Sequence, residues 1–241
     1  MSIIAGRKPV LEALKAGENL DHIYVLKGLR GDVISQIFNL ARKSDTKISE
    51  VPPQKLRTLS QDVNNQGIIA VRINYHYYEL DQILSYAKKF TEPLLLILDS
   101  IQDTHNLGAI LRSAECAGVH GVIITRHNSA SVNETVVKTS AGASEHIRVC
   151  RVGNLKQAID ELKENGFWVI GAGLEGAKNY TEINYKMPVA LVMGNEEKGL
   201  RRLTIDSCDH IVKIPMKGKI QSLNVSVATG ILLFEIQRQR G

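Results

Sequence analysis

The sequence has few cysteines, few aromatic residues and no long hydrophobic run. Three cysteines, Cys116, Cys150 and Cys208, are scattered through 241 residues without a CxxC pair. This excludes a disulfide framework and a cysteine-bound zinc cluster. The longest apolar runs, such as 94–98, are too short to cross a bilayer. The first ten residues lack the basic and apolar regions of a secretory signal, so we expect a cytoplasmic protein.

Several catalytic motifs are also absent. The sequence contains no HExxH, no GxSxG and no Walker A motif, and its seven histidines form no spaced ligand set, so no metal site is expected. The composition, 44% hydrophobic and 23% charged, is that of a globular chain that buries a core without disulfides. The net charge of +5 is compatible with a phosphate-bearing partner, and equally with an ordinary solvated basic surface.

The hydrophobic pattern predicts two α/β domains. Residues 1–75 read as a small α/β domain, and 76–92 read as a tyrosine-rich segment leading into one linker helix. In residues 93–241, short apolar strands alternate with helices, which predicts a buried parallel sheet with helices on both faces. The predicted strands of this part are 94–98, 121–124, 146–150, 167–171, 189–193 and 210–214, and its predicted helices are 107–117, 133–139, 155–165 and 223–238.

A GxGxxG motif begins at Gly171 and ends at Gly176, directly after a predicted strand. A dinucleotide site needs the third glycine to open a helix that points at a pyrophosphate. Residues 177–186 have no clear amphipathic pattern, and the next strand begins at Val189. We therefore prefer a loop that lines another ligand, and keep a nicotinamide oxidoreductase as an alternative.

Polar residues follow two of the buried strands. After strand 94–98, Asn106 is a predicted helix N-cap, and Arg112 lies on the helix that follows, partly sheltered among apolar neighbours. Its guanidinium suits a phosphate, although a surface ion pair with Glu115 explains it equally. After strand 189–193, Gly194 and Gly199 free backbone amides for a ligand, and Glu196 stands at the strand end.

The C-terminal segment, 214–235, joins a basic glycine turn to a helix. Ser222 and Asn224 open this helix, which is apolar or small almost all round and is therefore predicted to be buried on most sides. One of its faces could form a subunit interface, or the whole helix could lie in the core of a monomer.

Taken in order, NLGAILRSAECAG, LVMGNEEKGL and IPMKGKIQSLNVSVATGILLFE resemble the three signature motifs of the SpoU (TrmH-type) family of RNA ribose 2′-O-methyltransferases. The resemblance covers residues 93–241. It implies an S-adenosylmethionine-binding domain with a deep trefoil knot, a homodimer, and catalysis by Arg112, Asn106, Glu196, Ser222 and Asn224. Residues 1–75 resemble the family's small RNA substrate-binding domain, similar to ribosomal protein L30e.

The resemblance also implies the cofactor contacts and the substrate. Main-chain contacts to S-adenosylmethionine are expected at Gly194, Ile214 and Leu223, with the loop Ala172, Gly173 and Leu174 completing the pocket. The likeness favours a guanosine of 23S rRNA as the substrate, with tRNA as the alternative. A catalytically inactive RNA-binding module of the same fold is a further alternative, although every signature polar residue is retained.

Overall fold

The computed structural model describes residues 3–18, 20–44, 46–60, 64–72, 75–174 and 177–241. The chain divides into two compact units, Met1–His76 and Tyr77–Gly241, and each contains its own sheet. Among the described residues, no helix is both long and apolar enough to span a membrane.

The first unit is a four-stranded mixed sheet with three helices. Its strands lie in the order β1-β4-β2-β3, with β2 and β3 parallel and the other pairs antiparallel. Apolar residues of α1 and α2, such as Val10 and Ile37, pack on one face, and Leu56 of α3 packs on the other. The elements are β1 (Ile3–Ala5), α1 (Arg7–Lys15), β2 (Leu20–Leu26), α2 (Asp32–Lys43), β3 (Lys47–Val51), α3 (Pro53–Ser60) and β4 (Ile68–Arg72).

The second unit is a seven-stranded sheet in the order β7-β6-β5-β10-β8-β11-β9. Every neighbouring pair in it is parallel, which confirms the predicted sheet. Short 3-10 helices occur at Ala143–Glu145 and Tyr180–Glu182. The elements are α4 (Leu80–Ala87), β5 (Leu94–Asp99), α5 (Thr104–Cys116), β6 (Gly121–Thr125), α6 (Glu134–Thr139), β7 (Val149–Val152), α7 (Leu155–Glu164), β8 (Trp168–Ala172), β9 (Lys178–Asn179), β10 (Val189–Gly194), α8 (Arg202–Ser207), β11 (His210–Lys213) and α9 (Val225–Arg240).

The central strands are buried on both faces, because helices cover both sides of the sheet. Leu95 and Ile97 of β5 belong to one apolar cluster with residues of α4 and α7. The alternate residues of β5 point to the opposite face and are equally buried. On that side α5 packs against α6 and α9, and α9 also contacts β10. The continuous apolar composition of the strands therefore matches their surroundings.

The structure changes three details of the predicted elements. Helix α4, predicted to be a linker, packs through Ile83 and Leu84 into the core of the second unit. The strand predicted at 146–150 is β7, Val149–Val152. It begins later than predicted because His146 and Ile147 bond back to Ala143 and continue the turn of the 3-10 helix at Ala143–Glu145. The elements β1, β9 and α8 were not predicted, since two to six residues carry too little periodicity to be recognised.

Candidate active site

Loops from three strands surround one cavity at the carboxyl edge of the parallel sheet, where such sheets bind ligands. The lining residues 172–174, 193–196 and 212–214 lie at the ends of β8, β10 and β11 and in the first positions after these strands. Residues 221–223 and the first turns of α9 close the remaining side. We call this space the loop cavity. It is lined by Ala172, Gly173, Leu174, Met193, Gly194, Asn195, Glu196, Gly199, Val212, Lys213, Ile214, Met216, Gln221, Ser222, Leu223, Val225, Ala228 and Leu232.

The loop cavity brings together every residue that was predicted to contact a cofactor. These residues come from four separate parts of the chain: Ala172, Gly173, Leu174, Gly194, Ile214 and Leu223. Glu196 and Ser222, two of the predicted catalytic residues, line the same cavity. The walls combine apolar side chains with main-chain groups, the usual composition of a pocket for a small organic molecule.

The GxGxxG motif contributes to this cavity through its first half. Gly171 lies in β8, and 172–174 line the cavity, whereas Glu175 and Gly176 lie outside the described residues. The described residues that follow form β9 and a 3-10 helix at Tyr180–Glu182. A dinucleotide site would require a full helix at this point, so the structure favours the loop interpretation.

Gly194 allows the loop after β10 to close tightly on itself. A Cβ atom at this position would lie 2.3 Å from the carbonyl carbon of Gly199 and 2.4 Å from the nitrogen of Leu200. The next residue, Asn195, exchanges two main-chain hydrogen bonds with Gly199, at 3.0 and 2.9 Å. Only glycine leaves room for this close main-chain approach.

A chain of side-chain hydrogen bonds joins the three signature motifs. Asn224 donates through Nδ2 to Oδ1 of Asn106 at 2.9 Å, and Asn106 donates through Nδ2 to Oε1 of Glu196 at 3.0 Å. Asn195 donates to Oε2 of Glu196, also at 3.0 Å, and to the carbonyl oxygen of Ser100. Both carboxylate oxygens of Glu196 are therefore held, and the carboxylate is fixed beside the cavity.

The predicted N-cap role of Asn106 is wrong. Helix α5 begins three residues earlier than predicted, and its N-cap is Asp103, whose side chain accepts from the main-chain nitrogens of His105 and Asn106. This capping leaves the Asn106 side chain free to bond to Glu196. Asn224, in contrast, is the N-cap of α9 and accepts from the nitrogen of Ser226.

A buried carboxylate that sequence reasoning missed supports the same loop. Asp99, fully buried at the end of β5, accepts from Oγ1 of Thr204 at 2.6 Å and pairs with Nε of Arg201 at 2.7 Å. Both partners follow the loop after β10, so Asp99 ties that loop to β5. The only signal in the sequence was an acidic residue directly after a fully apolar strand.

Arg112 lies apart from this cluster. It is exposed on α5, contrary to the partly sheltered position predicted, and it does not line the loop cavity. Within the described part of the chain it forms no ion pair, so the suggested pair with Glu115 is not found. The arginine is therefore available for an external anion.

Helix α9 was predicted to be buried on most sides, and this prediction is wrong. Leu232, Leu233 and Ile236 face the core, whereas Val227 and Phe234 are about half exposed. Val227 and Phe234 are seven residues apart and therefore share one face of the helix, and the described residues leave this apolar face about half exposed.

Comparison with known proteins places the chain in a family. The profile of the SpoU rRNA methylase family matches residues 93–234, and that of the RNA 2′-O ribose methyltransferase substrate-binding domain matches residues 3–78. The chain belongs to the SpoU rRNA methylase family. The predicted family and enzyme class, a methyltransferase, are thereby confirmed.

Relatives and solved structures agree with this assignment. A Staphylococcus haemolyticus protein assigned to the TrmH family of tRNA/rRNA methyltransferases is 41% identical over 240 residues, or 99% of this chain and 96% of that protein. The SpoU methyltransferase AviRb of Streptomyces viridochromogenes has a TM-score of 0.64 at 25% identity, covering 99% and 89% of the two chains. An AdoMet-bound rRNA methyltransferase of Sinorhizobium meliloti has a TM-score of 0.62 at 26% identity, covering 98% and 86%.

Proposed function

We propose that this protein transfers a methyl group from S-adenosylmethionine to a ribose 2′-hydroxyl of RNA. The observation that carries the proposal is the loop cavity, where six residues predicted to contact the cofactor meet Glu196 and Ser222. Family membership and the AdoMet-bound Sinorhizobium meliloti structure support the choice of cofactor. Together they also disfavour a nicotinamide oxidoreductase.

The loop cavity fits S-adenosylmethionine in its chemistry. Leu174, Ile214 and Leu223 offer apolar surface for an adenine ring. The tight turn that Gly194 permits folds Gly194, Asn195 and Gly199 into one wall of the cavity, where their main-chain groups can bond to a ligand. When bound, the sulfonium supplies an electrophilic methyl group, and the protein's task is to position the hydroxyl and handle its charge.

The side chains around the cavity then have distinct tasks. Asn106 bonds directly to the carboxylate of Glu196, and Asn224 holds Asn106 in place, so Glu196 is a positioning residue for the loop or the substrate. Ser222, exposed at the cavity rim, contacts the target nucleotide. The target ribose must be reachable, which favours a loop or bulge of the RNA over a regular helix.

Arg112 acts on the developing negative charge. A guanidinium stays protonated at any ordinary pH, so it serves as a clamp and not as a base. It holds the phosphate of the target nucleotide and stabilises the 2′-oxygen as the proton leaves to a phosphate oxygen or water. Because Arg112 lies outside the loop cavity of its own chain, it serves the cavity of a second subunit.

A homodimer would bring these parts together. The half-exposed Val227 and Phe234 form an apolar face on α9, which is capped by Asn224. This helix packs against α5, which carries Arg112. Covering this face with a second copy removes apolar surface from water. The site and the interface would then share two rigid helices.

We also expect the family's trefoil knot in the three loops that surround the cavity.

The substrate proposal is a guanosine of 23S rRNA. The substrate-binding profile over residues 3–78 supports RNA recognition by the first unit, proposed as residues 1–75. A tRNA substrate is the second candidate, because the Staphylococcus haemolyticus relative is named for both RNAs. Mapping 2′-O-methyl sites in RNA from cells with and without this protein separates them. Loss of a single methylated guanosine in 23S rRNA supports the rRNA substrate. Loss of a methylated site in tRNA instead supports the tRNA substrate.

The reaction is tested by methyl transfer from labelled S-adenosylmethionine to RNA. We expect Arg112→Ala to lower turnover on the order of a hundredfold while cofactor affinity and thermal stability stay unchanged. Arg202→Ala, on an exposed arginine of the second unit that does not line the loop cavity, is the matched control. Turnover above about a tenth of wild type would contradict the role of Arg112. No transfer by the wild-type protein, despite cofactor and RNA binding, would instead favour an inactive RNA-binding module.

The shared site is tested by subunit exchange. Arg112→Ala and Leu223→Trp each inactivate a different part of the proposed site. If the arginine acts across the interface, a mixture of the two variants regains activity, because some heterodimers contain one intact site. Failure to regain activity after verified exchange, or a fully active monomer in sedimentation, would refute the arrangement.

A further inference from the structure

A cluster of aromatic and basic side chains lies at the amino edge of the second unit's sheet. Four of the seven tyrosines fall between positions 75 and 86, and the proposed reaction uses none of them. The structure gathers two of these with residues from the turns before β6 and β7. We call the group the Tyr86 cluster, and it consists of Tyr78, Tyr86, Lys89, Phe90, His120 and Arg148.

The rings and cations of the Tyr86 cluster are in direct contact. The guanidinium of Arg148 lies 3.5 Å from the centroid of the Tyr86 ring, and Lys89 Nζ lies 5.7 Å from it. Phe90 meets the Tyr86 ring edge-on at 5.2 Å and lies 3.9 Å from the His120 ring. Lys89 is exposed and Phe90 is 41% exposed, so the cluster is open to solvent.

The two cations of the cluster have no acidic partner among the residues that the structure describes. In the described ranges, neither Lys89 nor Arg148 has a carboxylate within ion-pair distance, whereas Lys156, for comparison, is 2.6 Å from Asp160. Burial lowers the pKa of His120, so at neutral pH it contributes a ring and not a charge. The positive charge held over the rings is therefore available to a polyanion.

We propose that the Tyr86 cluster is a stacking platform for a single-stranded segment of the RNA substrate. Every base has a π face that can stack on an aromatic ring or on a guanidinium plane, and cations beside such rings hold the phosphates. In a regular duplex the faces of the bases are already stacked on one another, so they cannot stack on the exposed ring of Phe90. This inference rests on the proposed action on RNA.

The position of the cluster gives it a separate task from the loop cavity. The turn at His120 bonds to Leu94 at the start of β5, whereas the loop cavity lies at the carboxyl edge. Six residues of β5 place these edges about 17 Å apart. The platform therefore holds RNA that flanks the target nucleotide, and it contributes to RNA affinity without contacting the methyl group.

Binding is measured by fluorescence anisotropy with the full-length protein. The probes are a labelled ten-nucleotide oligouridylate and a ten-base-pair RNA duplex. Phe90→Ala should weaken oligouridylate binding at least about fivefold, the lower limit for loss of one base stack, and Phe90→Tyr should preserve it. Duplex binding should be unchanged in both variants.

The basic residues are tested through the salt dependence of the same binding. Arg148→Gln should lower the slope of log Kd against log salt by about 0.7, as expected for one phosphate contact to a single strand. Lys156→Gln, which removes an exposed and paired lysine elsewhere on the unit, is the control and should leave the slope unchanged. A purely structural role of Arg148 would lower stability without changing the slope.

The outcomes separate this proposal from the proposed function. If wild-type protein methylates RNA but Phe90→Ala and Arg148→Gln bind oligouridylate normally, the platform is refuted and the function stands. Equal weakening of single-stranded and duplex binding also refutes it. If the wild-type protein transfers no methyl group yet the variants selectively lose oligouridylate binding, the function is refuted and the platform is supported.

Discussion

Substitution of Gly194 by alanine tests whether the tight loop after β10 is essential to the site. The added Cβ would lie 2.3 Å from the carbonyl carbon of Gly199, and ordinary contact begins at 3.4 Å, so the loop must move by roughly 1 Å. The obstructing atoms are main chain and cannot rotate away. Movement would break the paired hydrogen bonds between Asn195 and Gly199. The hydrogen bond from Asn195 to the carboxylate of Glu196 would also weaken.

The expected effects are large for function and moderate for stability. Overpacking of this kind costs about 1–3 kcal/mol, which lowers the melting temperature by roughly 2–12 °C for a chain of this size. A displacement of about 1 Å at a reacting centre can cost a hundredfold in rate. We therefore expect Gly194→Ala to bind S-adenosylmethionine weakly in calorimetry and to lose about 99% of its methyl transfer.

Gly153→Ala is the matched control for this substitution. Gly153 has no heavy atom within 4 Å of its would-be Cβ and no left-handed backbone angle. We expect its melting temperature, cofactor affinity and turnover to remain near wild type. If Gly194→Ala matched this control in all three measurements, the reasoning from close main-chain approach would be refuted.

Three further substitutions test other parts of the second unit. Thr204→Val leaves buried Asp99 without its 2.6 Å hydrogen bond and should lower the free energy of unfolding by about 1–3 kcal/mol in denaturant melts, whereas Thr204→Ser should retain it. Asn106→Ala removes the bond to Glu196 and should reduce kcat about tenfold or more, and an unchanged kcat would count against this role. Burial lowers the pKa of His120 below 6.5, so the unfolded chain binds a proton first as the pH falls. The resulting loss of folding stability below pH 6.5 should be smaller in His120→Gln than in the wild type. Identical stability profiles of the two proteins against pH would contradict this prediction.

The order of elements in the second unit could be predicted from local patterns. Strands β5 and β10 are continuous apolar runs, and helices α5 and α7 have a clear apolar periodicity. Each of these patterns is formed by residues that are close together in the sequence, so it can be recognised without knowledge of the tertiary structure. Short elements such as β9 were missed, because two residues form a strand only when a neighbouring strand is present to pair with them.

Local patterns misled the interpretation of Asn106. An asparagine before an apolar run is a common N-cap, yet Asp103 caps the helix and Asn106 bonds to a residue 90 positions later. Helix α4 was misjudged for a related reason. Its apolar face indicated that something covers it, and only the assembled sheet shows that the cover is the core of the second unit.

The sequence alone determined the two α/β units, the buried parallel sheet and, through three motifs, the family. These features depend on residue type and spacing along the chain. The tertiary structure decided which loops meet, because 172–174, 193–196 and 221–223 become neighbours only after β10 inserts between β5 and β8. It also revealed the buried partner of Arg201 and the exposure of Arg112, since contacts between residues distant in sequence depend on how strands are ordered in the sheet.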